Sequence, residues 1–179
     1  HIRKNYKKYW LVDPLDGTKD FIAKNDQFSI NIALIFNGKP ILGVVYLPAF
    51  NNFYWALKNA GSFKNKKCIK NNSSRDSLIA AQSIFHSTKE ESLFFEKFNI
   101  SKILRFGSAI KLCKLAEGEI DLYPRINGTM EWDTAAPHII INEAGCKLID
   151  MQTKKELCYN KKTMKNNSFI ASRKDLNFI

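Results

Sequence analysis

Two aspartates follow an apolar run within residues 9–21. Pro14 stands between Asp13 and Asp16 and restricts the backbone, so both carboxylates are expected on one side of a short, stiff turn. Two carboxylates a few ångströms apart repel each other by about 4 kcal/mol at a protein surface, and a shared proton or a bound cation relieves that repulsion. Hard oxygen ligands, with the Leu15 carbonyl between them, favour Mg²⁺ or Ca²⁺ over Zn²⁺.

Gly17 and Thr18 follow the second aspartate and are predicted to begin a short helix that ends at Ile22. A helix N-terminus presents unpaired amides, and glycine allows an anion to approach them closely, so this position suits a phosphate group. A cation site beside a phosphate site is typical of phosphoryl-transfer chemistry. The same pattern also occurs in surface loops, where Asp caps the backbone and Gly supplies an unusual φ. The residues of this segment alone leave both interpretations open.

Three more segments carry polar residues at predicted element ends. Asp133 is predicted at the start of a helix over residues 133–144, where exposed amides favour a carboxylate. Without the first motif, a simple helix cap is the favoured interpretation of Asp133. Ser108 and Lys111 are predicted one turn apart at another helix start, and Arg125 at the end of a strand, where its guanidinium could bind a phosphate through two parallel hydrogen bonds. A single Lys or Arg is more often a solvated surface charge.

Residues 13–18 resemble the first signature of the inositol monophosphatase superfamily of metal-dependent, lithium-sensitive phosphatases. Trp-Asp-Thr-Ala-Ala at residues 132–136 resembles the second, Trp-Asp-x-Ala-Ala. The resemblance implies a sugar-phosphatase fold with the site between two lobes, and Mg²⁺ ions, two or more, bound by Asp13, Asp16, Asp133 and the Leu15 carbonyl. It also implies that Gly17 and Thr18 hold the scissile phosphate and that the Thr18 hydroxyl helps to orient water. The catalytic residues are thereby expected to be Asp13, Asp16, Thr18 and Asp133.

Other segments are similar to the 3'(2'),5'-bisphosphate nucleotidase branch of that superfamily, the CysQ group. These are Gly-Ser-x-x-Lys at residues 107–111, Leu-Tyr-Pro-Arg at residues 122–125, and Lys19 after the first motif. His86 matches a histidine that this branch uses near the nucleotide, although Ile and Phe at residues 84–85 replace the arginine usually found before it. The resemblance implies hydrolysis of 3'-phosphoadenosine 5'-phosphate to AMP. The substrate contacts are expected from Gly17, Thr18, Lys19, His86, Ser108, Lys111 and Arg125.

Composition is consistent with an enzyme of this kind. The chain has 179 residues, 45% of them hydrophobic, enough to bury a core in one domain or two small lobes. We expect no membrane span and a cytoplasmic protein with four reduced cysteines, and we leave open a peripheral association with the inner membrane and a homodimer. The net charge of +11 comes from 28 Lys and Arg against 17 Asp and Glu, and lysines occur beside asparagines in loops such as residues 64–72 and 154–167. It favours a small anionic substrate, a nucleotide bisphosphate, over a nucleic-acid polymer.

The order of predicted elements indicates a layered α+β / α/β sandwich of two lobes. Residues 1–77 are predicted as an antiparallel β lobe, with Asn-Gly at residues 37–38 as the clearest hairpin signal. Residues 78–179 alternate strands with helices, as in an α/β lobe. The resemblance implies an N-terminal helical layer with an acidic pair, and we expect this chain to lack it. Two alternatives therefore stay open: an inositol or sugar monophosphatase of the same fold, and an inactive, truncated family member that acts only as a binding module.

Overall fold

The computed structural model describes residues 2–100, 102–126 and 128–178. Two β-sheets form separate layers, and the first has six antiparallel strands in chain order. Each strand pairs with the next along the chain; the connection from the first strand to the second contains the helix Thr18–Ile22, and the later connections are short. The antiparallel sheet predicted for this part of the chain is thus confirmed. The strands are β1 (Lys8–Asp16), β2 (Ser29–Phe36), β3 (Lys39–Leu47), β4 (Asn52–Leu57), β5 (Gly61–Lys64) and β6 (Lys67–Ile69).

The second sheet has five strands in the order β10-β11-β9-β7-β8. Strands β8 and β9 lie parallel to β7, whereas β11 is antiparallel to both β9 and β10. This mixed sheet, with helices between its strands, confirms the predicted α/β part of the fold. Its strands are β7 (Ile79–Ser83), β8 (Lys102–Phe106), β9 (Leu122–Arg125), β10 (Cys146–Asp150) and β11 (Phe169–Arg173).

The described residues form four α-helices beside the sheets: α1 (Thr18–Ile22), α2 (Lys89–Lys97), α3 (Ile110–Glu117) and α4 (Glu131–Glu143). Helices α3 and α4 lie between the two sheets, and α4 packs on β1–β5 with one side and on β10 with another. Short 3-10 helices lie at Ile2–Asn5 and Pro48–Phe50. Within the described ranges, no helix combines the length and the apolar character needed to cross a membrane.

One hydrophobic core joins both sheets. Its buried side chains come from the first sheet, from α3 and α4, and from the second sheet, and include Ile35, Tyr54, Leu115, Ile140 and Leu148. A smaller cluster around Phe94 and Phe95 packs α2 on the opposite face of the second sheet. The division into lobes at residue 77 therefore stays a prediction.

The turn between β2 and β3 is formed by Asn37 and Gly38, which have φ values of 49° and 74°. Positive φ at both central residues is the requirement of the type I′ turn that connects tightly twisted hairpins, so the Asn-Gly signal was a reliable predictor here. Alternate residues of β2 are buried against the helices, beginning with Ser29 and Asn31. The register of this hairpin consequently determines which polar side chains of β2 face inward.

The apolar, β-prone run before Asp13-Pro14 predicts a buried strand that stops at Asp13, and β1 differs from this prediction in two ways. It does not stop at Asp13 but continues to Asp16, with a register shift against β2 between these two residues. The bulge allows Pro14 to lie within the strand, because the ladder is already interrupted there. The apolar run was also expected to be buried, but Trp10 and Val12 are 58% and 50% exposed and only Leu11 is buried. The run is amphipathic because one face of the first sheet lies away from the helices.

Gly43 is the point of closest approach between β3 and α4. A Cβ atom built on Gly43 would lie 2.3 Å from the Ala136 carbonyl oxygen and 2.5 Å from Cγ2 of Ile139. Real Cβ atoms do not approach backbone atoms so closely, so only glycine allows the helix to reach the sheet at this distance. This contact sets the position of α4, and with it the position of Asp133.

Replacement of this glycine should therefore disturb both stability and the position of α4. We expect Gly43→Ala to lower the free energy of unfolding by about 1–3 kcal/mol through overpacking. In a chain of this size each 1 kcal/mol corresponds to about 2–4 °C in Tm. Thermal unfolding followed by circular dichroism measures the loss, with Lys67→Ala in the exposed strand β6 as the control. Equal Tm values for Gly43→Ala and the control would contradict the close contact.

Candidate metal and phosphate site

A cavity of about 370 Å³ lies where β1 and α1 meet the start of α3, the end of β9 and the first turn of α4. The elements come from both sheets, so the site depends on the packing of the two layers around α3 and α4. Most residues singled out in the sequence analysis line this cavity. They are Asp16, Gly17, Thr18, Lys19, His86, Ser108, Lys111, Arg125 and Asp133.

Three carboxylates form an acidic cluster, which consists of Asp13, Asp16 and Asp133. One carboxylate oxygen of each lies within 4.8 Å of those of the other two. Asp13 and Asp16 are presented by the bulge in β1, where the Leu15 amide donates to Asp13 Oδ1 at 3.1 Å. The Leu15 carbonyl does not line the cavity and accepts a 3.4 Å hydrogen bond from the Thr18 hydroxyl. Three converging carboxylates have the charge and the hard oxygen atoms to hold a divalent cation.

Asp16 is fixed by two residues that the sequence analysis did not identify. Its Oδ2 accepts hydrogen bonds from the Ser29 hydroxyl at 3.1 Å and from Asn31 Nδ2 at 3.2 Å. Both are inward-facing residues of β2, and each is nearly inaccessible to solvent. The available sequence signal was their polarity at inward positions of an alternating strand. A polar pair at such positions indicates a partner on the neighbouring strand.

Asp133 lies two residues inside α4 rather than at its start. The helix begins at Glu131, and Asp133 Oδ2 accepts a 2.7 Å hydrogen bond from the Met130 amide. One carboxylate oxygen therefore caps the helix N-terminus. Pro137 lies inside α4, beyond its first turn. Because proline has no amide proton, the Asp133 carbonyl lacks its usual helical donor at that position.

The segment before α4 is held by buried polar residues that the sequence analysis also missed. Glu131 is fully buried. Its carboxylate accepts hydrogen bonds from the backbone amides of Asn160 and Lys161 and forms an ion pair with the Lys161 ammonium at 2.9 Å. Asn166 Nδ2 donates to the Met130 carbonyl and to the hydroxyl of Thr134, both at 2.9 Å. These bonds connect the first turn of α4 to a loop far away in sequence. No local sequence signal indicates such a connection.

The electrostatics of the acidic cluster favour a cation. Burial, together with the negative charges of Asp16 and Asp13, raises the pKa of Asp133 to about 7. Burial also raises the pKa of Asp16, although Lys111 and the hydrogen bonds from Asn31 and Ser29 oppose this effect. Carboxyl groups with raised pKa values retain protons near neutral pH unless a cation replaces them. The cluster is therefore a site at which protons and metal compete.

The Lys111 ammonium is more constrained than predicted. It is 5% exposed, and its Nζ donates to the carbonyls of Ser108 at 2.7 Å and Phe106 at 3.1 Å. Burial lowers the pKa of Lys111 to about 8, against the opposing effect of Asp16. Ser108 precedes α3 with a φ of 39°, so the expected placement of both residues at a helix start is wrong for Ser108. Its Oγ is buried without a partner among the described residues.

Arg125 ends β9 as predicted and is 7% exposed. Its Nη1 donates to the His86 carbonyl at 3.0 Å, whereas Nε has no partner among the described residues. Burial and the Arg125 charge lower the pKa of His86, which favours a neutral imidazole. The guanidinium is thus anchored at one nitrogen and retains unused donors beside the cavity.

Asp20 and Gln27 support the loop between β8 and α3 and were not identified from the sequence. Gln27 Oε1 accepts from the Gly107 amide at 2.8 Å. Asp20 is 5% exposed, and a Cβ atom on Gly107 would lie 2.5 Å from its Cγ. Glycine is therefore required at residue 107 by the close approach of α1. This contact positions Ser108 and Lys111 relative to the first motif.

The fold and the acidic cluster define a class of protein. Residues 2–177 match the model of the inositol monophosphatase family, and the chain belongs to that family. The 3'(2'),5'-bisphosphate nucleotidase CysQ of Escherichia coli is 41% identical over 156 residues, which are 86% of this chain and 63% of the relative. The Haemophilus influenzae CysQ is 36% identical over 176 residues, 94% of this chain and 65% of the relative. The chain thus spans somewhat less than two thirds of the length of these relatives.

The structural comparison agrees with the family assignment. The crystal structure of CysQ from Bacteroides thetaiotaomicron, described as a bacterial member of the inositol monophosphatase family, superposes with a TM-score of 0.90 at 34% identity. The match covers 98% of this chain and 73% of that structure. The two-sheet arrangement found here is accordingly the fold of that family, as expected from the sequence.

The acidic cluster should lower stability when no metal is bound. Because the pKa of Asp133 is raised to about 7 in the folded protein, ionisation of this carboxyl group lowers the free energy of unfolding. This loss is absent below the pKa that the group has in the unfolded chain, and it is complete above about pH 7. Asp133→Asn keeps a side-chain oxygen that can accept the hydrogen bond from the Met130 amide, and it removes the negative charge of the carboxylate. We expect its Tm in a chelator at about pH 8 to exceed the wild-type value by about 2–4 °C, or about 1 kcal/mol.

The same variant should no longer respond to the metal. We expect Mg²⁺ to raise the Tm of the wild type and to leave that of Asp133→Asn unchanged, because mass action stabilises only a protein that binds the ion. Asp175→Asn is a control, since this exposed carboxylate pairs with Arg173 outside the cavity. A full Mg²⁺ response in Asp133→Asn would exclude this carboxylate as a ligand.

Proposed function

We propose that this protein is a Mg²⁺-dependent 3'(2'),5'-bisphosphate nucleotidase that converts 3'-phosphoadenosine 5'-phosphate to AMP and phosphate. The observation that carries the proposal is the lining of a single cavity by Asp16 and Asp133 of the acidic cluster and by several cationic side chains. A monophosphate needs only the cluster and its metal ions, whereas a second phosphate needs further positive charge. The identity to two CysQ nucleotidases supports the same assignment.

The acidic cluster is the proposed Mg²⁺ site. Its ligands are the carboxylates of Asp13, Asp16 and Asp133, and the Leu15 carbonyl is proposed as a further ligand. Their oxygens fit Mg²⁺, and the raised pKa values of two of them fit a site that a cation must neutralise. When bound, Mg²⁺ neutralises the phosphate, lowers the pKa of water and stabilises the leaving oxygen.

The residues around the cluster orient the reactants. Gly17 has a φ of 83°, which allows the chain to turn from β1 directly into α1 and keeps the Thr18 side chain at the cavity. In the proposed enzyme the amides of Gly17 and Thr18 hold the scissile phosphate. The Thr18 hydroxyl helps to orient the attacking water through a hydrogen bond. Ser29 and Asn31 act through Asp16, whose orientation they maintain.

The cationic residues are proposed to bind the second phosphate and the ribose. Arg125 has unused donors that can form two parallel hydrogen bonds to a phosphate. Lys111 contributes its charge, but two of its three protons are directed to backbone carbonyls, so it also holds the loop that carries Ser108. Lys19 and His86 complete the contacts at the open side of the cavity.

Loss of one ligand should stop the reaction without unfolding the protein. We expect Asp16→Asn to reduce Mg²⁺-dependent phosphate release from 3'-phosphoadenosine 5'-phosphate by about a thousandfold or more, while the amide oxygen still accepts from Ser29. Phosphate release is measured colorimetrically, and Tm verifies folding. Turnover within a few-fold of the wild type would refute the assignment of Asp16.

Selectivity is tested at Arg125. We expect Arg125→Met to raise KM for 3'-phosphoadenosine 5'-phosphate about tenfold or more, and to change KM for adenosine 3'-monophosphate little, because only the former carries the second phosphate. Arg105→Met, in the exposed part of β8, is the matched control. Preferred hydrolysis of inositol 1-phosphate by the wild type would favour the monophosphatase alternative. Binding of the nucleotide with no hydrolysis would favour the binding module.

A further inference from the structure

Lys165 lies in the loop before β11, and its backbone forms an isolated bridge with Met130 at the start of α4. The next residue, Asn166, fixes this loop. Its backbone amide donates to the Thr129 carbonyl at 2.8 Å, its side chain donates to the Thr129 hydroxyl at 3.0 Å, and it is 3% exposed. Since Thr129 lines the cavity, the Lys165 backbone is held firmly beside the cavity wall.

The side chain of Lys165 lies across Gly128, another residue that lines the cavity. A Cβ atom built on Gly128 would lie 2.1 Å from Lys165 Cε and 3.1 Å from Nζ. The aliphatic stem of the lysine thus occupies the space that a side chain at residue 128 would need. The ammonium is placed at the rim of the cavity and not inside it.

The Lys165 ammonium is exposed and has no hydrogen-bond or ion-pair partner within residues 2–100, 102–126 and 128–178. Lys161 in the same loop differs, because its ammonium binds Glu131 at 2.9 Å and Asn166 Oδ1 at 3.0 Å. Lys161 therefore has a structural role in this loop, whereas the Lys165 ammonium forms no hydrogen bond or ion pair with the described residues. A lysine offers three donors on a flexible stem and no acceptor, so an anion is the ligand that it can bind.

We propose that Lys165 contacts the substrate phosphate that is not held at the acidic cluster, and so adds to the preference for bisphosphates over monophosphates. This inference rests on the proposed function, since it assumes a substrate with two phosphates in this cavity. The contact comes from the loop between β10 and β11, whereas Lys19, His86, Lys111 and Arg125 belong to other segments. A phosphate bound at the cavity mouth would then be approached by positive charge from two directions.

The kinetic test compares two nucleotides that share the scissile phosphate. We expect Lys165→Met to raise KM for adenosine 3',5'-bisphosphate about fivefold, the size of one partly exposed charged contact. The KM for adenosine 3'-monophosphate and both kcat values should not change, and Lys165→Arg should retain the wild-type KM. Lys162→Met, an exposed lysine in the same loop, controls for net charge. Equal effects of Lys165→Met on both nucleotides, or no effect, would overturn the proposal.

A binding measurement separates this proposal from the reaction. Titration calorimetry of the same two nucleotides, without divalent ions and at low salt, uses the wild type, Lys165→Met and Lys162→Met. Bisphosphate affinity that is about fivefold weaker only in Lys165→Met supports the contact even if the protein hydrolyses neither nucleotide. Equal affinities of Lys165→Met and the wild type overturn it, whatever the outcome for catalysis.

Gly128 allows a second test that keeps the charge. Gly128→Ala forces the Lys165 stem to move, so we expect it to weaken bisphosphate binding about as much as Lys165→Met does. The double variant should be no weaker than Lys165→Met alone, because both changes remove one contact. If the loss of bisphosphate affinity in the double variant were instead the product of the losses in the two single variants, Gly128→Ala would weaken binding independently of Lys165. That result would contradict the placement of the ammonium at Gly128.

Discussion

The close packing of α4 on the first sheet is the constraint on which the site depends. Asp13 and Asp16 belong to β1, whereas Asp133 is carried by α4, and the three meet only because α4 approaches the sheet at Gly43. The approach is enforced from the other side by the buried polar contacts of Glu131 and Asn166 with the first turn of the helix. The helix is therefore fixed by apolar packing along its length and by hydrogen bonds at its start, and the geometry of the acidic cluster follows.

This arrangement opposes stability at several positions. Three carboxylates are brought together, Lys111 is buried, and Ser108 Oγ and Arg125 Nε lack partners among the described residues. Buried groups of this kind normally lower the free energy of unfolding. They cluster at functional sites because a bound ligand provides the hydrogen-bond partners and the opposite charges that they lack in the protein alone. Here the missing partners are of two kinds: a cation for the carboxylates and an anion for the guanidinium and hydroxyl. Under the proposed function, Mg²⁺ and the substrate phosphates supply these partners and also neutralise each other.

Local rules predicted the fold where the structure is local. The Asn-Gly hairpin, the alternation of β2 and the strand-helix order of the second sheet all follow from turn chemistry and hydrophobic period. The two signature motifs identified three carboxylates that lie close together, although Asp13 lies within β1 and Asp133 lies within α4 rather than at its start. The failures have a common cause in tertiary packing. Neighbours distant in sequence determine four features that were not predicted, and periodicity and propensity do not describe such neighbours. These features are the bulge after Asp13, the exposure of Trp10, the position of Pro137 within α4 and the buried hydrogen bonds of Glu131.

The cationic residues illustrate the same limit in a way that bears on function. In the sequence, motifs single out Lys111 and Arg125, and nothing distinguishes Lys165 from the other lysines. In the structure, Lys111 directs two of its protons to carbonyls, Arg125 is anchored at one nitrogen, and the Lys165 ammonium has no partner among the described residues. A charge already committed to the backbone contributes a fixed potential, whereas a free ammonium contributes a contact only when an anion is present. Selectivity between phosphates should therefore depend less on the number of positive residues than on how many of their donors remain unused.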